Sequence, residues 1–416
     1  MALTAGLLLL EACAIGDVQL TRVGGEDTGA DIEDRDVAAP TDPDPDPDSD
    51  SDIGPTPGSD AGEEPDATDA TDGSAEPDPA PDASVEGDPD AGQDQDQDEA
   101  PRFEFCERYG TPIETAKLQD DRLRGVSGVV ASHRNAGILW VHNDFPDVPT
   151  VYAVEAATGI TRGVLRAPTG LVALNLEDIA LARCPDAEED MAESVDPQAR
   201  CLWLADSGNN DQTRTDLSIF VLPEPVLSES GGAAAEPETW TADRVWHFPF
   251  SYPDGNHDSE AFMVEPDGSA LYLLEKLDAS PARLFEAKGP FEDGMPLVLE
   301  RIGELAAQTI GIPPFDLTPT LGRMMTGADL HPSRTRFVMR SYIGSYEYRL
   351  TQDDWALELP SVKPVIVALG PLSEPQGEAI AYDASGKALW TISEDPNQRP
   401  GQGIHHYPCL DESSVP

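Results

Sequence analysis

Residues 376–394, QGEAIAYDASGKALWTISE, carry the pattern that most limits how this chain folds. An apolar run opens on an acid, Glu378, breaks at the turn-forming stretch from Asp383 to Lys387, and resumes as a second apolar run ending in Ser393, Glu394 and Asp395. That order spells one β-hairpin with its polar groups gathered at the open end. It returns in SEAFMVEPDGSALYLLEK (259–276), between Glu260 and the pair Glu275-Lys276, and in EDIALARC…CLWLADSGNN, from Glu177 to Asn210. Weaker copies are SGVVASHRNAGILWVHND (127–144) and GADLHPSRTRFVMRS (327–341). Five hairpins of one design, each followed by a short third strand, make a repeat protein.

A lone hairpin cannot bury both faces, so the copies must stack on one another. Third strands are read at VYAVE, SIFVLPE, RLFEAK, YEYRL and HHYPC, and fourth strands at GVLRAP, VWHFPF, LERIGEL and VIVALGPL. Four antiparallel strands per radial unit describe a β-propeller blade. The pattern predicts an all-β, five-bladed β-propeller over residues 101–416, with six blades as the alternative. Residues 103–109 and 113–118 should be the strands that complete the last blade. Residues 224–243 and 308–321 read as inserted surface loops, the second placed to lie over the channel mouth.

Residues 26–100 hold 28 acids, one base (Arg35) and no aromatic side chain. Such a stretch buries too little apolar surface to offset its ordering entropy, so residues 14–100 are expected to be a disordered acidic linker. As a flexible coil its 75 acid-rich residues would span roughly 50 Å, and fully extended up to about 230 Å. The propeller region is itself acidic, with 49 acids against 24 bases. Phosphate-backbone binding needs a positive face, so no nucleic-acid partner is expected, and nothing suggests more than a monomer.

The first 13 residues, MALTAGLLLLEAC, form an apolar run too short to span a bilayer. Leu-Glu-Ala-Cys, ending at Cys13, resembles the lipobox of bacterial lipoproteins, which implies signal cleavage, acylation of Cys13 and a lipid anchor at the cell envelope. Four cysteines remain. Cys106 and Cys409 lie in the first and last ordered strands, which share a blade in a closed propeller, so they should pair. Cys184 and Cys201 bracket an insertion where other repeats have a tight turn, and should clamp its two ends.

In a propeller the first strand starts, and the second ends, at one face near the axis. The first-strand starts supply Glu177, Asp178, Glu260, Asp329 and Glu378, with His257 and Asp258 just upstream of one. The second-strand ends supply Asn143, Asp144, Asp206, Asn209, Asn210, Asp211, Glu275, Lys276, Arg340, Glu394 and Asp395. Crowded carboxylates raise one another's pKa unless a cation sits among them, and oxygen ligands in this number suit Ca2+. Glu177, Asp206 and Asn209 are the expected metal residues. Purely structural acids, or another divalent metal, are the alternatives. Lys276 and Arg340, the two bases at this face, either pair with neighbouring acids or hold an anionic ligand.

The chain lacks a G-x-S-x-G elbow, an H-E-x-x-H pair, a P-loop and a dinucleotide fingerprint. Together the five hairpin segments resemble a group of exported bacterial propeller proteins, and their strand starts are similar, more distantly, to phytase-like and gluconolactonase/regucalcin propellers. That likeness implies a calcium or other divalent ion at the axial face, with Glu177, Asn143, Asn209 and Asp206 as the nearest counterparts of its ligands. The reading is of a lipid-anchored envelope propeller that binds a divalent cation and a small, peptidic or envelope-protein ligand. A metal-dependent phosphoesterase, lactonase or esterase is one alternative, and a structural module the other.

Overall fold

The computed structural model describes residues 105–185, 200–228, 236–277, 281–305, 324–351, 355–369, 374 and 376–410. The expected signal segment, Cys13, the acidic linker and the loop at 308–321 lie outside them.

Strands form where β-branched and aromatic residues alternate or run together, and they stop at Asp-, Pro- and Gly-rich turns. Asp383, for example, turns the hairpin of residues 376–394 by accepting the amide of Lys387 at 2.9 Å. Blade I is β2 (Val126–Ala131), β3 (Ile138–Asn143), β4 (Thr150–Glu155) and β5 (Thr161–Arg166). Blade II is β6 (Asp178–Arg183), β7 (Arg200–Asp206), β8 (Ser218–Pro223) and β10 (Trp246–Ser251). Blade III is β11 (Ser259–Val264), β12 (Ala270–Glu275), β13 (Ala282–Lys288) and β15 (Glu300–Leu305). Blade IV is β16 (Met325–Leu330), β17 (Arg336–Ser341), β18 (Gly344–Arg349) and β19 (Val365–Leu369). Blade V joins β20 (Gln376–Tyr382), β21 (Leu389–Glu394) and β22 (Gly403–Tyr407) to β1 (Ile113–Lys117), so the chain ends close the ring. The protein is an all-β, five-bladed propeller.

The inner strands β2, β6, β11, β16 and β20 pack against one another around the axis. Apolar layers fill the interfaces between blades: Trp140, Ile179 and Phe220 between I and II, and Trp203, Phe248, Phe262 and Phe285 between II and III. Burying each such aromatic contributes about 1.5 to 3 kcal/mol. Polar groups then fix the stacking. Ser127, Ser207 and Thr326 donate to carbonyls of the next blade, at Glu177 (2.6 Å), Ser259 (2.7 Å) and Gly377 (2.8 Å).

The connection between third and fourth strands repeatedly reaches back to the preceding blade. From blade II it lays β9 (Glu238–Thr241) parallel to β5 of blade I, and from blade III it lays β14 (Leu297–Val298) parallel to β10 of blade II. From blade IV it forms the short helix α1 (Trp355–Glu358), whose Trp355 stacks on Tyr272 of blade III at 4.4 Å. Part of the expected surface loop at 224–243 is therefore sheet. Its first residue, Glu224, is buried and accepts the indole of Trp140 at 2.9 Å.

Residues 105–109 do not form the expected strand and contribute one bridge, Tyr109 to Cys409. They are held instead by side chains: Arg336 and Arg349 both bond the Cys106 carbonyl, and Tyr109 donates to buried Glu347 at 2.8 Å. Both expected disulfides are present, Cys106–Cys409 and Cys184–Cys201, separated by 303 and 17 residues. Loop-closure entropy gives them about 5 to 6 and about 3 kcal/mol.

Candidate functional site

The inner strands share one irregularity. The ladder slips at Ser127 in blade I, Glu260 in blade III, Thr326 in blade IV and Glu378 in blade V, where two residues oppose one across the hairpin. In blade II, Glu177 donates its amide to the Ala205 carbonyl (2.9 Å) while Asp178 pairs with Ala205, the same two-against-one arrangement. A bulge re-aims a side chain out of the sheet's alternation. Five equivalent positions thus present Ser127, Glu177, Glu260, Thr326 and Glu378 at one end of the axis. The matching register on the second strands places Asp144, Ser207, Lys276, Tyr342 and Glu394 beside them.

Glu177, Asp258 and Glu260 each bring one carboxylate oxygen within 4.8 Å of the others, and all three are buried. Lys276, 9% exposed in its side chain, bonds Glu260 and lies 5.4 Å from the centre of the Tyr342 ring. Gln376 donates to Glu378 at 3.0 Å and also to Glu394, linking that pair. Two glycines make room. A Cβ on Gly208 would stand 2.0 Å from Glu177 Oε1, and one on Gly125 would stand 2.5 Å from Asp144 Oδ1 and 3.4 Å from Glu394 Oε1.

Among the described residues, six carboxylates here face one ammonium. Burial, then Glu260, push Glu177 well above the carboxylate range, and burial, then Glu260, do the same to Glu378. Burial raises Glu260 to about 7 against the opposing pull of Lys276, and raises Asp144 to about 6. Burial, Asp144 and Glu260 lift Glu394 to about 8. Burial disfavours the charge of Lys276, but Glu260, Tyr342, Glu177 and Glu378 outweigh it and hold the ammonium protonated. A metal-free cluster of this kind keeps protons that a cation would displace.

Of the residues expected to hold a metal, Glu177 stands in the three-acid group. Asp206 and Asn209 do not: Asp206 forms a two-pronged pair with Arg214 (2.9 and 3.0 Å), and Asn209 accepts the Arg214 amide at 2.9 Å. Asn209 does brace the site, since its own amide bonds Asp258 at 2.6 Å. Asn143 turns away to the Arg122 and Arg124 backbone, at 2.8 and 3.1 Å. His257 is held between Asp254 (2.8 Å) and Glu275 (2.9 Å), with Arg283 against Glu275 at 3.4 Å.

Asp178 and Asp329 lie deeper along their strands. Asp178 accepts the amides of Ile179 (2.9 Å), Phe262 (3.0 Å) and Ala328 (2.9 Å), filling the axis where other blades have Gly128, Ala261, Gly327 and Ala379. Asp329 accepts the amide of Tyr382 at 2.8 Å. Arg340 is buried against Glu374 (3.0 Å) and the Ala379 carbonyl (2.9 Å), so its charge is already matched. Sequence reasoning missed Tyr342 and Gln376. Tyr342 was recoverable, because it follows its second strand as Lys276 follows β12.

No protein-family description and no curated protein sequence matches the chain. Among solved structures it is similar to an exo-β-1,3-galactanase from Phanerochaete chrysosporium crystallised with β-1,3-galactotriose: TM-score 0.41, 10% identity, 73% of this chain and 65% of that one. It therefore spans just under two thirds of the galactanase chain. Hydrazine synthase from Kuenenia stuttgartiensis is similar at TM-score 0.35 and 8% identity, over 64% of this chain and 80% of that one. A chain of the mitotic checkpoint complex is similar at TM-score 0.29 and 8% identity, over 68% and 63%. Similarity this distant carries no functional argument, and the five-bladed fold rests on the strand pairing itself.

Proposed function

We propose that the axial mouth is a divalent-cation site and that the protein uses the bound ion to hold a small or peptidic ligand. The observation that carries this reading is the three-acid group of Glu177, Asp258 and Glu260, buried with oxygens within 4.8 Å of one another. The donors are all oxygen, and Glu260 Oε2 is buried with no hydrogen-bond partner among the described residues. Such a set suits a hard ion, Ca2+ before softer metals. Glu177, Asp258 and Glu260 would hold it, with Glu378 and Glu394 within reach of its charge. Two disulfides support an oxidising compartment, and with the lipobox-like Cys13 they favour display from the cell envelope.

Thermal melting of the full chain with Ca2+ and with chelator tests the reading. Ca2+ should raise the Tm of wild type and leave E177Q and E260Q unmoved; a wild type indifferent to Ca2+, Mg2+ and Mn2+ alike removes it. A second reading, metal-dependent hydrolysis, draws on Lys276, whose ammonium beside the group would stabilise charge developing on an oxygen while the ion activates water. Turnover on phosphate-ester or lactone panels, lost in E177Q, would select it.

A further inference from the structure

The acid group already holds an ammonium. Lys276 follows β12, bonds one oxygen of Glu260, and lies beneath the Tyr342 ring with 9% of its side chain exposed. Glu177 and Glu378 also act on its charge. Among the described residues, one positive charge thus sits among six carboxylates, and Glu260 Oε2 stays buried without a hydrogen-bond partner. Building on the cation reading above, we infer that Lys276 sets the specificity of this site: its ammonium stands where a monovalent cation would bind, so only an ion of higher charge displaces it.

The physical reason is competition at unequal stakes. Na+ or K+ brings the same charge as the ammonium and must compete with a group tethered beside the site at high effective concentration. A divalent ion doubles the Coulomb attraction to every carboxylate in a poorly solvated setting. It also gains the Glu260 oxygen that has no hydrogen-bond partner among the described residues. The displaced head can leave by rotation of its flexible four-carbon stem, with no backbone change. Among the described residues, no other Lys or Arg is paired with Glu177, Asp258 or Glu260.

The test uses the full chain as wild type, K276M and K276R. Ca2+ binding is followed by calorimetry, and Na+ by melting in NaCl against choline chloride at equal ionic strength. K276M should bind Ca2+ at least tenfold more tightly than wild type, and Na+ should raise its Tm. Wild type and K276R should ignore Na+. Equal Ca2+ affinity in wild type and K276M overturns the inference while leaving the cation reading intact, as does a wild type stabilised by Na+. If none of the three binds Ca2+, Mg2+ or Mn2+, the cation reading falls and takes the inference with it. A K276M chain that folds only when Na+ or Ca2+ is supplied supports the inference; one that stays unfolded with both overturns it.

Discussion

Asp178 of blade II accepts the backbone amide of Ala328 of blade IV at 2.9 Å, across 150 residues of chain. The same carboxylate takes the Phe262 amide of blade III at 3.0 Å, so one buried side chain pins three inner strands at the axis.

Removing it leaves these amides without acceptors. D178A should cost about 3 to 5 kcal/mol in guanidinium unfolding, since each buried orphaned donor costs about 1 to 3 kcal/mol. D178N, which keeps one carbonyl acceptor, should fall between D178A and wild type. A D178A chain as stable as wild type would show the axis held by apolar packing alone.

Gly208 lets Glu177 reach the mouth. With a Cβ only 2.0 Å from Glu177 Oε1 and from Asn175 Nδ2, G208A must push both aside. Calorimetry should show Ca2+ affinity at least tenfold weaker, with the circular-dichroism spectrum unchanged. Unchanged affinity would place the ion away from Glu177.

Stability should depend on pH with two opposed limbs. Burial alone would raise the pKa of Glu374, but Arg340 and His405 pull it from 4.5 down to about 2. A depressed folded pKa gives stability that is present above 4.5 and lost as pH falls toward 2. Glu394 runs the other way. Its folded pKa of about 8 exceeds the ordinary 4.5, so its contribution is complete at low pH and is lost as pH rises from 4.5 through 8. In chelator, Tm should therefore peak near the ordinary carboxylate pKa and decline toward alkaline pH. Saturating Ca2+ should flatten that decline. A chelated protein most stable at pH 8 would contradict the raised carboxyls.

Arg340 and Glu374 separate structure from site. Both are almost fully buried and paired at 3.0 Å. R340A strips a buried carboxylate of its nearest cation, leaving His405 at 3.4 Å, and should cost about 3 to 5 kcal/mol. Ca2+ affinity of the folded fraction should not move. A parallel loss of Ca2+ binding would return Arg340 to the mouth.

The clamp at the blade II turn gives a smaller, cleaner effect. Replacing Cys184 and Cys201 by Ser together should lower stability by about 3 kcal/mol, the loop-entropy value for a closed segment of this length. A double variant as stable as wild type would mean that β6 and β7 keep their register without the link.

The hairpins were legible because two apolar runs around a turn have few other uses; Cys106–Cys409 followed from the way a closed ring brings its ends together, and Cys184–Cys201 from the insertion they bracket. The acids were legible as a group but not one by one. Neighbours such as Asn143 and Asp144, or Glu275 and Lys276, were all assigned to the axis, yet successive side chains of a strand point to opposite faces. Asp144 and Lys276 therefore face the mouth, while Asn143 bonds the Arg122 loop and Glu275 bonds His257. The bulges that aim Glu260 and Glu378 were not legible, because a slip in the hydrogen-bond ladder leaves no mark on composition. Nor was β9, whose partner β5 belongs to the blade before it.

The parallel strands β9 and β14 have a mechanical consequence. Each is a stitch from one blade sewn onto the rim of its predecessor, so blades I, II and III are joined by main-chain hydrogen bonds as well as by packed faces. Glu177, Asp258 and Glu260 come from the two blades that β14 sews together. Amide exchange in β6 and β11 should accordingly be among the slowest in the ring, keeping the spacing of those three carboxylates steady while the rest of the wheel breathes.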